Sequence, residues 1–184
     1  MKRIFIAIKT EPGKIFLSLL ADLKKTLVNE KITWVNPENM HLTLHFLGDT
    51  PDDKINDLSR SVAQKISGFG EFSFYLRGTG VFKSFNDPKV IWTGIKDPET
   101  IYDINSQIIN GLTDAGISVN DRSFKPHVTL GRLRRIKDRD ILIQAVEKYH
   151  DYLIQEVNVS EVILFESILK ETGAVYKPLA EFRL

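Results

Sequence analysis

The sequence predicts a mixed helix-and-strand protein of two similar halves, packed as a single domain over residues 1–184. Three observations predict it. Runs of β-branched and aromatic residues alternate with stretches whose apolar residues recur every three or four positions. The pattern His-x-Thr-Leu occurs twice, at His41-Leu42-Thr43-Leu44 and His127-Val128-Thr129-Leu130, 86 positions apart (127 − 41) and so close to half the chain. Around each copy the same order returns: a helix, the H-x-T-L strand, a second helix, then strands. That order suggests an internal duplication, unlike a short-period solenoid, and no linker-like stretch separates the halves.

Residues 3–9 are a β-branched and aromatic run, predicting a buried strand. Ile15, Phe16, Leu19, Leu20, Leu23 and Leu27 follow Pro12 at amphipathic-helix spacing. Residues 32–35 are extended and stop at Pro37. Residues 41–46 alternate polar and apolar, a half-buried strand closed by Gly48-Asp49. Residues 51–67 are helical, with Ile55, Leu58, Val62 and Ile66 on one face. Strands are predicted at 72–76, 80–82 and 90–95, joined by Gly-, Asn- and Pro-containing turns. Ile101, Ile104, Ile108 and Leu112 mark a helix ending near Gly116. The second alternating strand starts after Pro126, a charged helix covers about 138–149, and long strands are expected at 157–165 and 176–184.

Composition narrows the chemistry. With 25 Lys+Arg against 24 Asp+Glu the net charge is +1, so a polyanion must be met by a local cluster of cations. The absence of Cys removes disulfides, thiolate metal sites and cysteine nucleophiles. No apolar run is long enough for a signal peptide's core or a membrane helix, and a cytoplasmic protein without membrane contact is expected.

The two H-x-T-L copies use two of only four histidines. Strand side chains alternate faces, so His41 and Thr43 share one, as do His127 and Thr129, while Leu42, Leu44, Val128 and Leu130 anchor the opposite side. If a pseudo-twofold axis relates the halves, two imidazoles and two hydroxyls converge on one group. Phosphodiester cleavage suits that set. A neutral imidazole removes the nucleophile's proton, an imidazolium protonates the leaving oxygen, and hydroxyls donate to the phosphoryl oxygens. No acidic residue stands at a metal-ligand spacing beside either histidine, and neither H-E-x-x-H nor a phosphate-binding G-x-x-x-x-G-K-[ST] loop occurs.

Both motifs carry informative flanks. The stretches are Arg3-Ile4-Phe5-Ile6-Ala7-Ile8, then Trp34-Val35-Asn36-Pro37-Glu38-Asn39-Met40 running into His41 and on to Phe46-Leu47-Gly48. Then come Val81-Phe82, Val90-Ile91-Trp92-Thr93-Gly94 and Phe124-Lys125-Pro126 running into His127 and on to Gly131-Arg132. The tail Glu166-Ser167-Ile168-Leu169 and Gly173-Ala174-Val175-Tyr176-Lys177-Pro178-Leu179 also fits. Across essentially the whole length, the chain resembles the two-histidine (2H) phosphoesterases, in particular the bacterial and archaeal RNA 2′,3′-cyclic phosphodiesterases, also described as 2′–5′ RNA ligases.

The resemblance implies an α+β fold of two lobes with antiparallel sheets around a central groove. It implies His41 as proton donor, His127 as proton acceptor, and Thr43 and Thr129 as phosphate contacts. The implied reaction opens a terminal RNA 2′,3′-cyclic phosphate to a 2′-phosphomonoester without metal or nucleotide cofactor, in a monomer, with 2′–5′ ligation as the reverse-direction use of the groove. A phosphodiesterase of small cyclic nucleotides and a non-catalytic RNA-binding module are the alternatives. His45 stands where relatives commonly carry Lys or Arg, and by alternation it shares the face of His41 and Thr43. Lys125, Arg132, Arg134 and Arg135 form a basic cluster suited to a flanking RNA phosphate, although unbroken alternation turns Arg132 away from His127 unless Gly131 marks a bulge. Trp34, Phe82, Phe85, Trp92 and Phe124 are the aromatics from which a base-stacking platform is drawn. His150 is assigned no role.

Overall fold

A computed structural model describes residues 1–119, 124–171 and 173–184. Along the chain it places β1 (Lys2–Lys9), α1 (Lys14–Thr26), β2 (Lys31–Trp34), a 3₁₀ turn (Pro37–Asn39), β3 (His41–Thr50), α2 (Asp52–Ile66), β4 (Phe72–Phe82) and β5 (Val90–Lys96). Then follow α3 (Glu99–Asp114), β6 (His127–Arg135), α4 (Arg139–Glu147), β7 (Leu153–Val159), β8 (Glu161–Lys170) and β9 (Gly173–Arg183).

Local chemistry accounts for the helices. In α1, Phe16, Leu19, Leu20 and Leu23 are buried at amphipathic spacing, while Ile15 faces water. Each of those four buried side chains contributes about 1.5–3 kcal/mol of apolar transfer. Asp52 and Asp53 in the first turn of α2, with Lys65 in its last, suit the helix dipole. Asp138 caps α4 by accepting from the backbone N–H groups of Asp140 and Ile141, both at 3.0 Å. Gly111 lets α3 approach α2 closely; a Cβ there would stand 2.8 Å from Val62 Cα. No helix among the described residues is long and apolar enough to cross a membrane.

The strands form one nine-stranded sheet, not separate sheets, in the order β7-β4-β5-β6-β3-β1-β8-β9, with β2 added against β6. Every pairing is antiparallel. The order reads as two quartets, β7-β4-β5-β6 and β9-β8-β1-β3, meeting where Leu42 pairs with Val128. Side chains such as Ile4, Ile6, Ile8, Leu42, Leu130 and Leu164 pack with the buried faces of all four helices in one core. The other face carries a small cluster of Phe5, Ala7, Ile163 and Phe165 with Tyr176 against it.

Two expectations change. The strand expected at 157–165 is two strands broken at Ser160, because β7 pairs with β4 and β8 with β1. Those strands are six places apart in the sheet, about 29 Å if it lay flat, yet Val159 and Glu161 are two residues apart, a reach of about 7 Å. The sheet must therefore curl into a half-barrel. Conversely, 72–76 and 80–82 belong to one continuous strand, β4, which absorbs Gly78 as a bulge at φ +72°. A Cβ at Gly78 would fall 2.2 Å from the His150 carbonyl oxygen, so only glycine fits.

Candidate active site

The site lies where the two quartets meet. An antiparallel ladder has a local twofold axis through each residue pair, and here the pair is Leu42–Val128. That register sets His41 opposite Thr129 and Thr43 opposite His127. Because both strands carry His-x-Thr at the same offset from the axis, the twofold exchanges the two His-Thr pairs. The histidines are then diagonal neighbours, with Cα atoms about 7–8 Å apart. All four side chains are half-buried, while Leu42, Leu44, Val128 and Leu130 are buried on the opposite face.

Both imidazoles are fixed in the same manner. His41 Nδ1 lies 2.7 Å from the Asn39 carbonyl oxygen, and His127 Nδ1 lies 2.7 Å from that of Lys125. A carbonyl only accepts, so each Nδ1 carries the proton and each Nε2 is left to exchange one. Aromatic rings hold the imidazoles in place. His41 sits 4.9 Å from Phe5 and edge-on to Tyr176 at 5.1 Å, while His127 meets Phe82 edge-on at 4.6 Å. Burial pushes both imidazoles below the usual histidine pKa; the carbonyl bonds oppose this, and the Arg132 charge adds to it. His127 also lowers His41, so the two sense each other across the ladder. Burial raises the Tyr176 phenol, against the pull of Arg132 and Arg3.

Bulges decide what else shares this face. Between Thr43, paired with Ala7, and His45, paired with Ile6, β3 carries the extra residue Leu44. Between Thr129, paired with Trp92, and Gly131, paired with Ile91, β6 carries the extra residue Leu130. The two extra residues are equivalent, 86 positions apart (130 − 44). Each reverses the alternation beyond it. His45 therefore turns to the side of Ile6 and the helices, which corrects the expectation that it lines the groove; burial lowers its pKa as well. Arg132, paired with Val90 and Thr33, comes onto the face of Thr129 because the extra residue is Leu130, next to the Gly131 at which the sequence allowed a bulge.

The same slip brings Phe46 onto the groove face beside Phe5, 51% exposed, with the Arg3 guanidinium 4.9 Å over its ring. Unbroken alternation would turn Phe46 to the side of Leu42 and Leu44, and the aromatics singled out from the sequence are largely occupied. Trp34 lies against Gly131, Trp92 covers Gly80, Phe82 and Phe124 pack on His127 and Tyr102, and Phe85 packs against the core. The basic cluster divides too. Lys125 lines a cleft of about 340 Å³ with Arg77, Trp92 and His150, whereas Arg134 and Arg135 stand at the far end of β6. Among the described residues no three His, Asp or Glu side chains are grouped to hold a metal ion.

This geometry has relatives. The family model for LigT-like phosphoesterases matches residues 6–92 and 95–176. An RNA 2′,3′-cyclic phosphodiesterase from Thermotoga maritima is 35% identical over 150 residues, covering 81% of this chain and 78% of that one. The corresponding protein of Methanothermobacter thermautotrophicus is 30% identical over 183 residues, 99% of this chain and 98% of its own. Among solved structures, TT0787 of Thermus thermophilus superposes with a TM-score of 0.80 at 28% identity, covering 99% of this chain and 97% of that one. The α+β fold, the twofold ladder and these matches over nearly the whole length make the chain a member of the LigT-like branch of the two-histidine phosphoesterases.

Proposed function

We propose that this protein hydrolyses a terminal RNA 2′,3′-cyclic phosphate to a 2′-phosphomonoester, acting as a cytoplasmic monomer. The observation that carries the reading is the pair of imidazoles, each tied at Nδ1 to a carbonyl and each presenting Nε2 across one antiparallel ladder. The relatives' names supply the substrate class.

In this mechanism neutral His127 takes a proton from water at Nε2 as the water oxygen attacks phosphorus. The P–O3′ bond breaks, and O3′ leaves with the proton that His41 Nε2–H donates. The 2′-oxygen keeps the phosphate, and a proton returns from His127 to His41 through solvent to reset the pair. Thr43 and Thr129 donate to the non-bridging oxygens, where charge grows in the transition state. Arg132, on the same face, offsets the phosphate's charge. Burial favours the neutral form of both imidazoles, and the bound phosphodiester anion opposes this at His41 by favouring its charged, proton-donating form. With a 5′-hydroxyl in place of water, the same displacement forms a 2′–5′ linkage. The test offers a cyclic-phosphate-ended oligonucleotide and a cyclic mononucleotide side by side, with products identified by phosphorus NMR. A 2′-monophosphate is expected, and a 3′-monophosphate or no turnover of either substrate refutes the reading.

A further inference from the structure

The two strand ends that leave the site differ in charge. Carried 86 positions along the duplicated frame, Arg134, Arg135, Lys137 and Arg139 at the end of β6 fall on Gly48, Asp49, Pro51 and Asp53 at the end of β3. The β6 exit gathers four cations, whereas the β3 exit sets Asp49 beside Arg3 and Asp52 beside the N-terminal ammonium. At the basic exit, the turn between β4 and β5 faces residues 134–139 across a cleft of about 250 Å³, with Lys89, Arg134, Arg135, Lys137, Arg139 and Asp87 in its lining.

The one carboxylate in the cleft's lining is engaged. Asp87 pairs with Lys83 at 2.8 Å and Lys89 at 2.6 Å. Glu30 accepts from the backbone N–H groups of Lys137 and Asp138, and Asp138 caps α4. Arg134, Arg135, Lys137 and Arg139 form no ion pair among the described residues. Arg139 is steadied by Asn86 Oδ1 at 2.6 Å. Four such cations around a concavity describe a site for an anion.

We propose that this cleft binds a backbone phosphate of the RNA strand whose terminal phosphate sits between His41 and His127. The inference rests on the reaction proposed above, and it makes the substrate an oligonucleotide rather than a mononucleotide. Allowing for the bulge at Leu130, Thr129 and Arg134 lie about 14 Å apart along β6. An extended nucleotide advances about as far as two strand residues, so the bound phosphate is two or three nucleotides from the reacting one. Arg132 and Arg134 share the face between the two points and line the path. The recognition is of phosphate charge and carries no base preference.

The test measures binding, so it does not depend on turnover. Fluorescence anisotropy follows a labelled RNA dinucleotide and a hexanucleotide, each ending in a 2′-phosphate, against the wild type, the Arg134→Gln/Lys137→Gln double variant, and a charge-matched Lys14→Gln/Lys24→Gln control on α1. Thermal midpoints and the single Lys137→Gln variant guard against a folding effect. The site variant should bind the hexanucleotide about tenfold more weakly, with a salt slope shallower by about 0.7 for each phosphate it no longer neutralises. Its affinity for the dinucleotide should match the wild type, and the control should match it for both ligands. Equal losses on both lengths, an unchanged hexanucleotide affinity, or an equal loss in the control overturns the proposal. RNA that binds with this length dependence but is not hydrolysed would instead count against the catalytic reading alone.

Discussion

Which histidine gives the proton and which takes it is open to a direct chemical test. Both carry the same Nδ1–H to carbonyl bond at 2.7 Å, so geometry makes them interchangeable and only the leaving group tells them apart. Removing one acid or base costs roughly a hundred- to ten-thousand-fold in rate, about 2.7–5.5 kcal/mol at 1.36 kcal/mol per decade. His41→Ala also empties a space between Phe5 and Tyr176, so His41→Gln is measured beside it and thermal midpoints are recorded for both. The assay compares a 2′,3′-cyclic substrate with an analogue bearing sulfur at the scissile 3′ position. A thiol's pKa, about 8.5, lies far below that of a sugar hydroxyl, so the thiolate departs without an acid. With His41 as donor, the sulfur analogue restores most of the lost rate to the His41 variants and leaves His127→Ala crippled. Restoration of His127→Ala instead reverses the roles. If neither is restored, both imidazoles serve mainly to bind the phosphate, and the acid–base mechanism fails.

Three further outcomes are expected. Thr43→Val and Thr129→Val keep side-chain shape and strand propensity but remove a donor, so each should lose roughly two to three decades in kcat; a variant with wild-type kcat is only a strand residue. Turnover should survive exhaustive chelation, and loss on EDTA with recovery on adding a divalent ion would sink the two-histidine mechanism. Because burial lowers the pKa of His41, His127 and His45 in the folded state, the unfolded chain binds more protons at mildly acid pH. Stability is therefore full above the ordinary histidine pKa and falls as pH drops below it toward the folded values. Inorganic phosphate should reduce that fall by favouring charged His41 and His127 in the groove. A thermal midpoint that rises on acidification, or one indifferent to phosphate, contradicts this.

Much of the fold and the paired motifs were legible because apolar periodicity reports directly on burial. The face of Phe16, Leu19, Leu20 and Leu23 in α1 and the alternation through Leu42 and Val128 are burial patterns first and structure second. Periodicity counts residues, however, and pairing does not. The extra residue at Leu44 adds a side chain without adding a partner on β1, and nothing in the residues around it announces the slip. One uncounted residue moved His45 out of the groove and Phe46 into it. At Leu130 the neighbouring Gly131 was a usable signal, since a Cβ there would come within 3.0 Å of Trp34 and the strand therefore needs glycine. The break at Ser160 was hidden for a different reason. Apolar residues stand close on both sides of it, Val157 and Val159 before and Val162 to Phe165 after, and only the long-range pairing partners show that the two strands belong to opposite quartets.

The pairing also bears on how a twofold ladder would perform the unsymmetrical reaction proposed for it. The Leu42–Val128 ladder makes the two His-Thr pairs equivalent, and the equivalent bulges at Leu44 and Leu130 preserve that equivalence one step further. Beyond the bulges it ends. The position after Gly131 is Arg132, whose charge reaches His41, His127 and Tyr176, while its counterpart is Phe46 under Arg3. Farther out, Arg135 and Arg139 correspond by the same offset of 86 to Asp49 and Asp53. A symmetric pair of imidazoles cannot choose an attacking side. A chain of phosphates drawn to one end of the ladder can make that choice, because it fixes which oxygen of the cyclic ester faces which histidine. In the proposed reaction, the asymmetry then comes from how the RNA is laid across the site, and the paired imidazoles need differ only in what the RNA places beside each.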